Sequence, residues 1–350
     1  MVLNLQIAWK VTYLTYKKIC NIAQKIVRNF VSSNNIKTCI ILINVSTYML
    51  IFSALGEYLI MRCETHEKLI GIAKNYISNA PLDVDIPVVD HAYVLNGCVC
   101  MYKMTKDKAY FDYVIRYLDS VIMQKEKFLD KTYDNDEDGL SLFDIGIMSD
   151  FAFDETGEDK YKEFSGLIYE KLSRFLKSDD SSVKASSLKN FQDYMPFYTD
   201  YETRWNKKNG YNDICDRFRD AFELVNSDKE RSIGLSDKIL FLKSVVDCLS
   251  VLSIQIYEDY RLLEDILRQG IKDLFFKNED CEKVLELEDK DIIISAYILL
   301  KSIQEGHISS EKYKALADSL FEKAFDPEEN SDHKDAGYTG ALMMATAFSK

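Results

Sequence analysis

A short pattern recurs about every fifty residues along this chain: a tyrosine follows a polar turn and begins an amphipathic helix. The copies read KAYFDYVIRYLDSV from Lys108, DKYKEFSGLIYEKL from Asp159, NGYNDICDRFRDAF from Asn209, EDYRLLEDILRQGI from Glu258 and EKYKALADSLFEKAF from Glu311. Their tyrosines are Tyr110, Tyr161, Tyr211, Tyr260 and Tyr313, so the successive steps are 51, 50, 49 and 53 residues. Repeats of this length are typical of helical hairpins that bury their apolar faces against neighbouring copies.

The segments between the tyrosine helices are more uniformly apolar. A helix that is apolar around most of its circumference is buried on most sides, whereas one apolar stripe is typical of a helix at the surface. The pattern therefore predicts outer tyrosine helices that alternate with buried inner helices. The predicted inner helices are Tyr93 to Lys103, Leu140 to Phe153, Phe191 to Tyr201, Ile239 to Ile254, Ile292 to Ile303 and Gly337 to Phe348.

With His66 to Ile77 as a further outer helix, six outer and six inner helices alternate. The sixth pair forms only when the last inner helix meets the first outer one, as a closed ring requires. The sequence therefore predicts an all-α fold, an (α/α)6 toroid over residues 63–350, with an open superhelical stack as the competing geometry. The low content of 13 Gly and 4 Pro agrees, because many-stranded sheets need such residues at their turns.

Residues 1–62 stand outside the repeat and are predicted to form an N-terminal helical extension. The stretch Asn4 to Val31 is basic and amphipathic, and Thr38 to Leu55 contains no charge. These eighteen uncharged residues approach the length that spans a bilayer. Preceding lysines would keep the N-terminus cytoplasmic. Residues 38–55 are therefore interpreted either as a membrane anchor or as an extra buried helix of a cytoplasmic protein.

Charge and cysteine spacing exclude several kinds of partner. The formal net charge is −13, and the Lys and Arg residues are dispersed, which predicts no nucleic-acid partner. The 8 Cys form no C-x-x-C pair and no Cys/His quartet with zinc-site spacing, which predicts no zinc site.

Aspartates begin most of the predicted inner helices, where Asp is a favoured N-cap. Two aspartates fit that explanation less well. Asp144 lies within the apolar run LSLFDIGIM, and Asp193 lies among aromatic residues in NFQDYMPF, ahead of Pro196. Burial raises the pKa of a carboxyl group, and two such acids on adjacent inner helices could act in general acid–base catalysis.

The segment DNDEDG from Asp134 to Gly139 has the opening of a calcium-binding loop. The twelfth position, where a bidentate Glu belongs, is Ile145. A solvated acidic turn is therefore favoured over a calcium site.

Several segments together resemble one enzyme group. They are HAYVLNGCVCMYKMTKDKAYFDYV, SLFDIGIMSDFAFDETGEDKYKEFSGLIYEKLSRF, FQDYMPFYTDY, EDKDIIISAYILLKSIQEG and GYTGALMMATAFS. Over residues 66–348 the sequence resembles the unsaturated uronyl hydrolases, glycoside hydrolase families 88 and 105. Asp144 and Gly146 fall on an acid and a glycine of their motif, and Asp193 falls on their catalytic acid.

The resemblance implies a toroidal glycosidase without a metal or other cofactor. Its substrate would be an oligosaccharide left by a polysaccharide lyase, from which it removes a terminal unsaturated glucuronyl or galacturonyl residue. Asp193 would donate a proton to the C4=C5 bond and help water to add at C5, while Asp144 would position that water or hold ring hydroxyls. The resemblance also suggests a set of substrate-binding residues: His91, Gln192, Tyr194 and Arg231.

The sequence departs from the family pattern at several positions. Phe143 replaces a His before the first acid, and His91 replaces an aromatic residue. The segment KERSIGLS keeps only Arg231 and Gly234 of a Trp-rich motif. The alternative function is therefore a catalytically degenerate toroid that binds glycans or has a structural role, with residues 38–55 as an optional membrane tether. Sugar epimerisation and peptide cyclisation are further alternatives, and they usually need paired histidines or a Cys/His zinc site.

The acidic inner-helix starts would repel an anionic uronide. Arg231, Lys290 or Lys334 would have to offset that repulsion locally.

Overall fold

A computed structural model describes residues 67–78, 89–130, 142–178, 183–226, 233–276, 284–325 and 335–349. Every regular element in these ranges is helical, which confirms the all-α prediction. The predicted N-terminal extension with its segment 38–55 and the turn at Asp134 to Gly139 lie outside the described residues. The domain boundary at residue 62 thus stays a prediction. Among the described helices, none combines the length and the apolar composition needed to span a membrane.

Outer and inner helices alternate along the described chain, beginning with an outer one. They are α1 (67–78), α2 (Val89–Thr105), α3 (Lys108–Met123), the short α4 (Lys125–Asp130), α5 (Leu142–Thr156), α6 (Asp159–Phe175), α7 (Phe191–Arg204), α8 (Tyr211–Asn226), α9 (Leu235–Leu249), α10 (Tyr257–Phe276), α11 (Asp289–Gln304), α12 (Ser310–Ala324) and α13 (Ala336–Phe348). A 3-10 turn at Ala185–Asn190 leads into α7. The inner helices are α2, α5, α7, α9, α11 and α13.

The six inner helices form a closed ring. Each of them packs against the next, from α2 through α5, α7, α9, α11 and α13, and α13 packs against α2. The closing contact brings two backbones together at Gly97 and Gly340: a methyl group on Gly340 would overlap the carbonyl group of Tyr93. This closure confirms the toroid and excludes the open stack.

Three of the five recurring tyrosines connect neighbouring outer helices. The Tyr110 hydroxyl donates to the carbonyl oxygen of Ile70 on α1 at 3.4 Å, and the Tyr161 hydroxyl donates to Asp119 of α3 at 2.9 Å. The Tyr313 ring of α12 meets Phe276 of α10 edge to face, with centroids 5.2 Å apart. A tyrosine at this position thus has a packing role, which explains why the sequence repeats it.

Most turns from inner to outer helices are short and use left-handed backbone. Gly157 between α5 and α6 has φ of 72°, and Gly306 between α11 and α12 has φ of 83°. Glycine adopts this conformation without steric cost and commonly ends helices. Such turns return each outer helix antiparallel to its inner helix, so all inner helices begin at the same end of the ring.

Candidate active site

The two predicted catalytic acids occupy equivalent places on adjacent inner helices. Asp144 is the third residue of α5 and Asp193 is the third residue of α7. Asp144 is therefore closer to the start of its helix than the sequence suggested. Gly146 lets α5 and α7 approach closely, because any larger side chain would overlap the ring of Phe197.

Tyr93 of α2 marks the place where the first turns of several inner helices meet. Its hydroxyl donates to Gln192 Oε1 at 2.6 Å, and the pair is buried. Burial raises the pKa of Tyr93, Lys243 opposes the shift, and Asp193, Asp144 and Asp291 add to it. The tyrosine hydroxyl therefore lies in the electrostatic field of carboxyl groups from three other inner helices.

Asp144 is buried, with 7% of its surface exposed. Its burial raises the pKa to about 7, whereas Lys243 and a hydrogen bond from Asn96 act in the opposite direction. The carboxyl group therefore changes protonation near neutral pH, the range in which a group can serve acid–base chemistry.

Asp193 is also buried, with 5% of its surface exposed. It acts electrostatically on the hydroxyls of both Tyr93 and Tyr194. Asp193 thus stands beside the Tyr93–Gln192 pair, at the same end of the ring as Asp144.

A buried group of charged residues lies deeper in the ring and was missed by the sequence analysis. Lys243 Nζ of α9 donates to Asp247 Oδ2 at 2.9 Å, and Lys301 Nζ of α11 donates to Asp247 Oδ1 at 2.7 Å. The Tyr297 hydroxyl donates to the same carboxylate at 2.5 Å. Burial alone would raise the pKa of Asp247, but the two lysines and these hydrogen bonds hold it well below its usual range.

A signal for this group was present in the sequence. Lys243 and Asp247 are four residues apart in one apolar run, as are Tyr297 and Lys301 in another. Residues with this spacing share one face of a helix. Polar pairs on one face of an otherwise apolar inner helix would have indicated side chains directed toward the ring axis.

Of the three cations proposed to offset repulsion of a uronide, one is described at the site. The Lys290 ammonium lies 5.7 Å from the centre of the Tyr93 ring, and the Lys243 ammonium lies 5.4 Å from it. Arg231 and Lys334 lie outside the described residues. The acid-rich end of the ring therefore has ammonium groups close to Tyr93.

Among the predicted substrate-binding residues that the structure describes, Gln192 bonds to Tyr93 beside the acids, whereas His91 and Tyr194 pack against outer helices. His91 stacks on Tyr117 of outer helix α3, with ring centroids 4.7 Å apart, and its burial lowers its pKa. Tyr194 packs edge to face on Phe175 of outer helix α6, with centroids 5.4 Å apart. Arg231 is outside the described residues.

A groove of about 850 Å³ lies elsewhere, on the outer surface between α8, α10 and the start of α12. It contains none of the predicted site residues. The candidate chemistry is therefore at the inner-helix starts, where the buried carboxyl groups converge.

The structure is thus a toroid with a cluster of buried acids, the candidate site, at one end of its ring. In comparison with known proteins, the structure is similar to that of a glycoside hydrolase from family 105 of C. acetobutylicum. The TM-score is 0.62 at 16% sequence identity, over 81% of this chain and 98% of that one. The resemblance to family 105 is thus confirmed at the level of the fold. No family model and no curated protein sequence matches the chain.

Proposed function

We propose that this protein is a glycosidase that removes an unsaturated uronic acid from lyase-derived oligosaccharides. The observation that carries the proposal is the convergence of Asp144, Asp193 and the Tyr93–Gln192 pair at one end of a closed ring. The fold similarity to a family 105 glycoside hydrolase supports it. The carbohydrate class of the substrate follows from that similarity and from the motif around Asp193.

In the proposed reaction, Asp193 donates its proton to C4 of the C4=C5 bond. Water then adds its oxygen at C5 and returns a proton to the Asp193 carboxylate. The hemiketal so formed opens and releases the remaining sugar. Asp144, partly ionised near neutral pH, positions the water or holds ring hydroxyls.

The substrate carboxylate requires positive charge in this acidic region. Lys290 supplies an ammonium group beside Tyr93, on the first turn of α11. Its attraction for the uronide offsets the repulsion by Asp144, Asp193 and Asp291.

The first prediction concerns Asp193→Asn. The ultraviolet absorbance of the conjugated C4=C5 bond disappears on hydration, so its loss is followed with a panel of lyase digests. We expect the wild type to consume one digest and Asp193→Asn to be slower by at least about 100-fold, because the amide cannot donate the proton.

The matched control is Asp289→Asn, an exposed acid on the first turn of inner helix α11, which should keep wild-type activity. If the wild type consumes no digest, or if Asp193→Asn is as active as the wild type, the hydrolase proposal is wrong.

Glycan binding without turnover is the second candidate function, and Phe143 favours it. This residue replaces the His of the family motif and is fully buried. The centroid of its ring lies 6.1 Å from that of Phe175 on α6. Calorimetric binding of an intact unsaturated oligosaccharide, with no product formed, would support this alternative.

A further inference from the structure

A hydrogen bond between Tyr93 and Gln192 joins two inner helices at the candidate site. The Tyr93 hydroxyl of α2 donates to Gln192 Oε1 of α7 at 2.6 Å. Only 5% of the surface of Tyr93 and 6% of that of Gln192 are exposed. Because the bond is short and largely shielded from water, it holds the Gln192 side chain in one place.

The two ends of the Gln192 amide differ in their chemistry, since Oε1 accepts hydrogen bonds and the NH2 group at Nε2 donates them. The proton of the Tyr93 hydroxyl has its acceptor in Oε1. If the amide were turned by 180°, this proton would face the NH2 group and lose its acceptor, which is costly for a buried hydroxyl. Tyr93 therefore decides which end of the amide is left for another partner.

The NH2 group of Gln192 is open to a further acceptor. Within the described part of the chain, the bond from Tyr93 is the one hydrogen bond that the Gln192 side chain makes. The described buried side-chain atoms that lack a partner belong to Tyr117, Asp150 and Ser165. Gln192 Nε2 is not one of these sealed atoms, so solvent or a ligand can reach it.

The groups near Tyr93 indicate what kind of oxygen this NH2 group would meet. The ammonium group of Lys290 lies 5.7 Å from the centre of the Tyr93 ring, on the first turn of α11. The amide and the ammonium group both donate, so together they suit an oxygen that carries no proton, such as a carboxylate oxygen. Sugar hydroxyls can donate, and they suit the neighbouring aspartates instead.

The backbone at Tyr93 is fixed by the closure of the ring. A methyl group on Gly340 of α13 would overlap the carbonyl group of Tyr93, so the two backbones are in direct contact. A binding group is most selective when its supporting residues hold it in place before the ligand arrives. Tyr93 meets this requirement, because α13 supports its backbone and α7 accepts its hydroxyl proton.

We propose that Tyr93 is a positioning residue that orients the Gln192 amide so that its NH2 group donates to a carboxylate oxygen of an acidic sugar. The identity of this ligand as a uronic acid rests on the proposed function. The orientation of the amide does not, because it follows from the hydrogen bond between α2 and α7.

Nitrogen-15 NMR of side-chain amides tests both parts of the proposal. The Gln192 NH2 signals are assigned by their loss in Gln192→Ala. The probe is D-glucuronate, with D-glucose as its uncharged counterpart. We expect glucuronate to shift the Gln192 signals and glucose to leave them nearly unchanged. A wild-type Gln192 amide that does not respond to glucuronate would overturn the proposal.

The variant that tests the positioning role is Tyr93→Phe, which keeps the ring and removes the hydroxyl. Its Gln192 signals should already differ from the wild type without ligand, and glucuronate should shift them less. Identical Gln192 signals in Tyr93→Phe and in the wild type, with and without glucuronate, would show that the hydroxyl does not orient the amide.

Affinities for glucuronate, measured by ligand-observed NMR, give a double-mutant cycle. Gln192→Ala should weaken binding about 10-fold, the effect of one hydrogen bond to a charged group. Tyr93→Phe should weaken it at least about threefold, because the amide is then free to turn. Tyr93→Phe should have no further effect in the Gln192→Ala background. The same loss in both backgrounds would overturn the proposal, since Tyr93 would then not act through Gln192.

The matched control is Tyr161→Phe, which also removes a hydroxyl that donates to another side chain, Asp119 at 2.9 Å. This pair lies on the outer helices, so the variant should keep wild-type affinity for glucuronate. Equal losses of affinity in Tyr161→Phe and Tyr93→Phe would assign the effect to general loosening of the fold and overturn the proposal.

Gln192→Glu keeps the proposal testable if Tyr93→Phe folds poorly. The new side chain still offers an acceptor to Tyr93 but has an oxygen in place of the NH2 group. We expect it to bind glucuronate at least about 10-fold more weakly than the wild type. An unchanged affinity would overturn the proposal.

Activity is measured in parallel to separate this proposal from the hydrolase function. If the wild type is active, Tyr93→Phe should raise KM more than it lowers kcat, as expected for a lost binding contact. A responsive Gln192 amide in a protein that consumes no digest would keep the positioning role and reject the hydrolase function. An active wild type whose Gln192 signals ignore glucuronate would reject only the positioning role.

Discussion

Asp150 of α5 illustrates how the protonation of one buried carboxyl group makes the stability of the fold depend on pH. Trp205 Nε1 donates to its Oδ1 at 3.0 Å. Burial, and then the nearby Asp200, raise the pKa of Asp150 to about 7, against the opposing effects of Trp205, Ser165 and Arg204. Since the pKa in the folded state exceeds the ordinary value of 3.8, the folded state binds this proton more tightly than the unfolded state.

The sign of the effect on stability follows from this difference. The contribution of Asp150 is fully present below pH 4 and is lost as the pH rises through about 7. We predict that Asp150→Asn, which keeps an acceptor for Trp205, raises the free energy of unfolding at pH 8 by about 2 kcal/mol.

Urea unfolding at pH 5 and pH 8 measures this change. The free energy of unfolding should differ less between the two pH values in Asp150→Asn than in the wild type. The exposed Asp112→Asn on α3 serves as the control and should keep the wild-type difference. An unchanged pH dependence in Asp150→Asn would contradict the prediction.

At the scale of elements, the contact between α2 and α13 is what closes the ring. Gly97 and Gly340 face each other across it, and a side chain at Gly340 would meet the backbone of Tyr93 and Val94. A backbone cannot move aside as a flexible side chain can. The same contact also fixes Tyr93, so the ring closure and the candidate site share one structural support.

We therefore predict that Gly340→Ala lowers the free energy of unfolding by about 3 kcal/mol, as expected for strong overpacking of a core. Gly71→Ala on α1 is the matched control, because nothing lies within 4 Å of the added methyl group. It should stabilise the protein by about 0.5–1 kcal/mol, since alanine favours a helix over glycine. Urea unfolding followed by circular dichroism measures both changes. Equal changes in the free energy of unfolding for Gly340→Ala and Gly71→Ala would contradict the close contact between Gly340 and the backbone of Tyr93.

The pattern of apolar residues determines the helices of this fold more fully than it determines the neighbours of single side chains. Hydrophobic periodicity predicted the alternation of inner and outer helices, because each class buries a different share of its surface. It did not predict the neighbours of Tyr194. This residue directly follows Asp193, but successive side chains on a helix point about 100° apart, so Tyr194 packs toward α6 instead. Lys243 and Asp247 were not predicted as site residues, because they lie outside the segments that resemble the hydrolase families.

At the scale of the whole molecule, a closed ring differs from an open stack in how it depends on its last helix. In an open stack each repeat contacts only its neighbours, so removal of an end repeat leaves the others folded. In this ring α13 packs against both α11 and α2. Its loss would expose apolar side chains at two inner-helix contacts.

We predict that removal of residues 336–350 abolishes cooperative folding of the remaining chain. The expected result is a broad thermal transition and a large loss of helical circular dichroism, beyond the share of the deleted helix. A synthetic peptide of residues 335–350 added in excess should restore part of the signal. A truncated protein with a sharp thermal transition, and with no more helical signal lost than the deleted helix accounts for, would contradict this prediction.

The buried group of charged residues around Asp247 has a consequence for how a polymer could approach this protein. Tyr297, Lys243 and Lys301 are buried within the ring, and Phe348 lies edge to face on Tyr297 with centroids 5.6 Å apart. Among the described residues, side chains therefore occupy the interior of the ring at this depth, where they would block a polysaccharide strand from threading through it. If the proposed glycosidase function holds, a strand could present only its end to the acids, and the protein would trim terminal sugars one at a time and leave internal linkages intact.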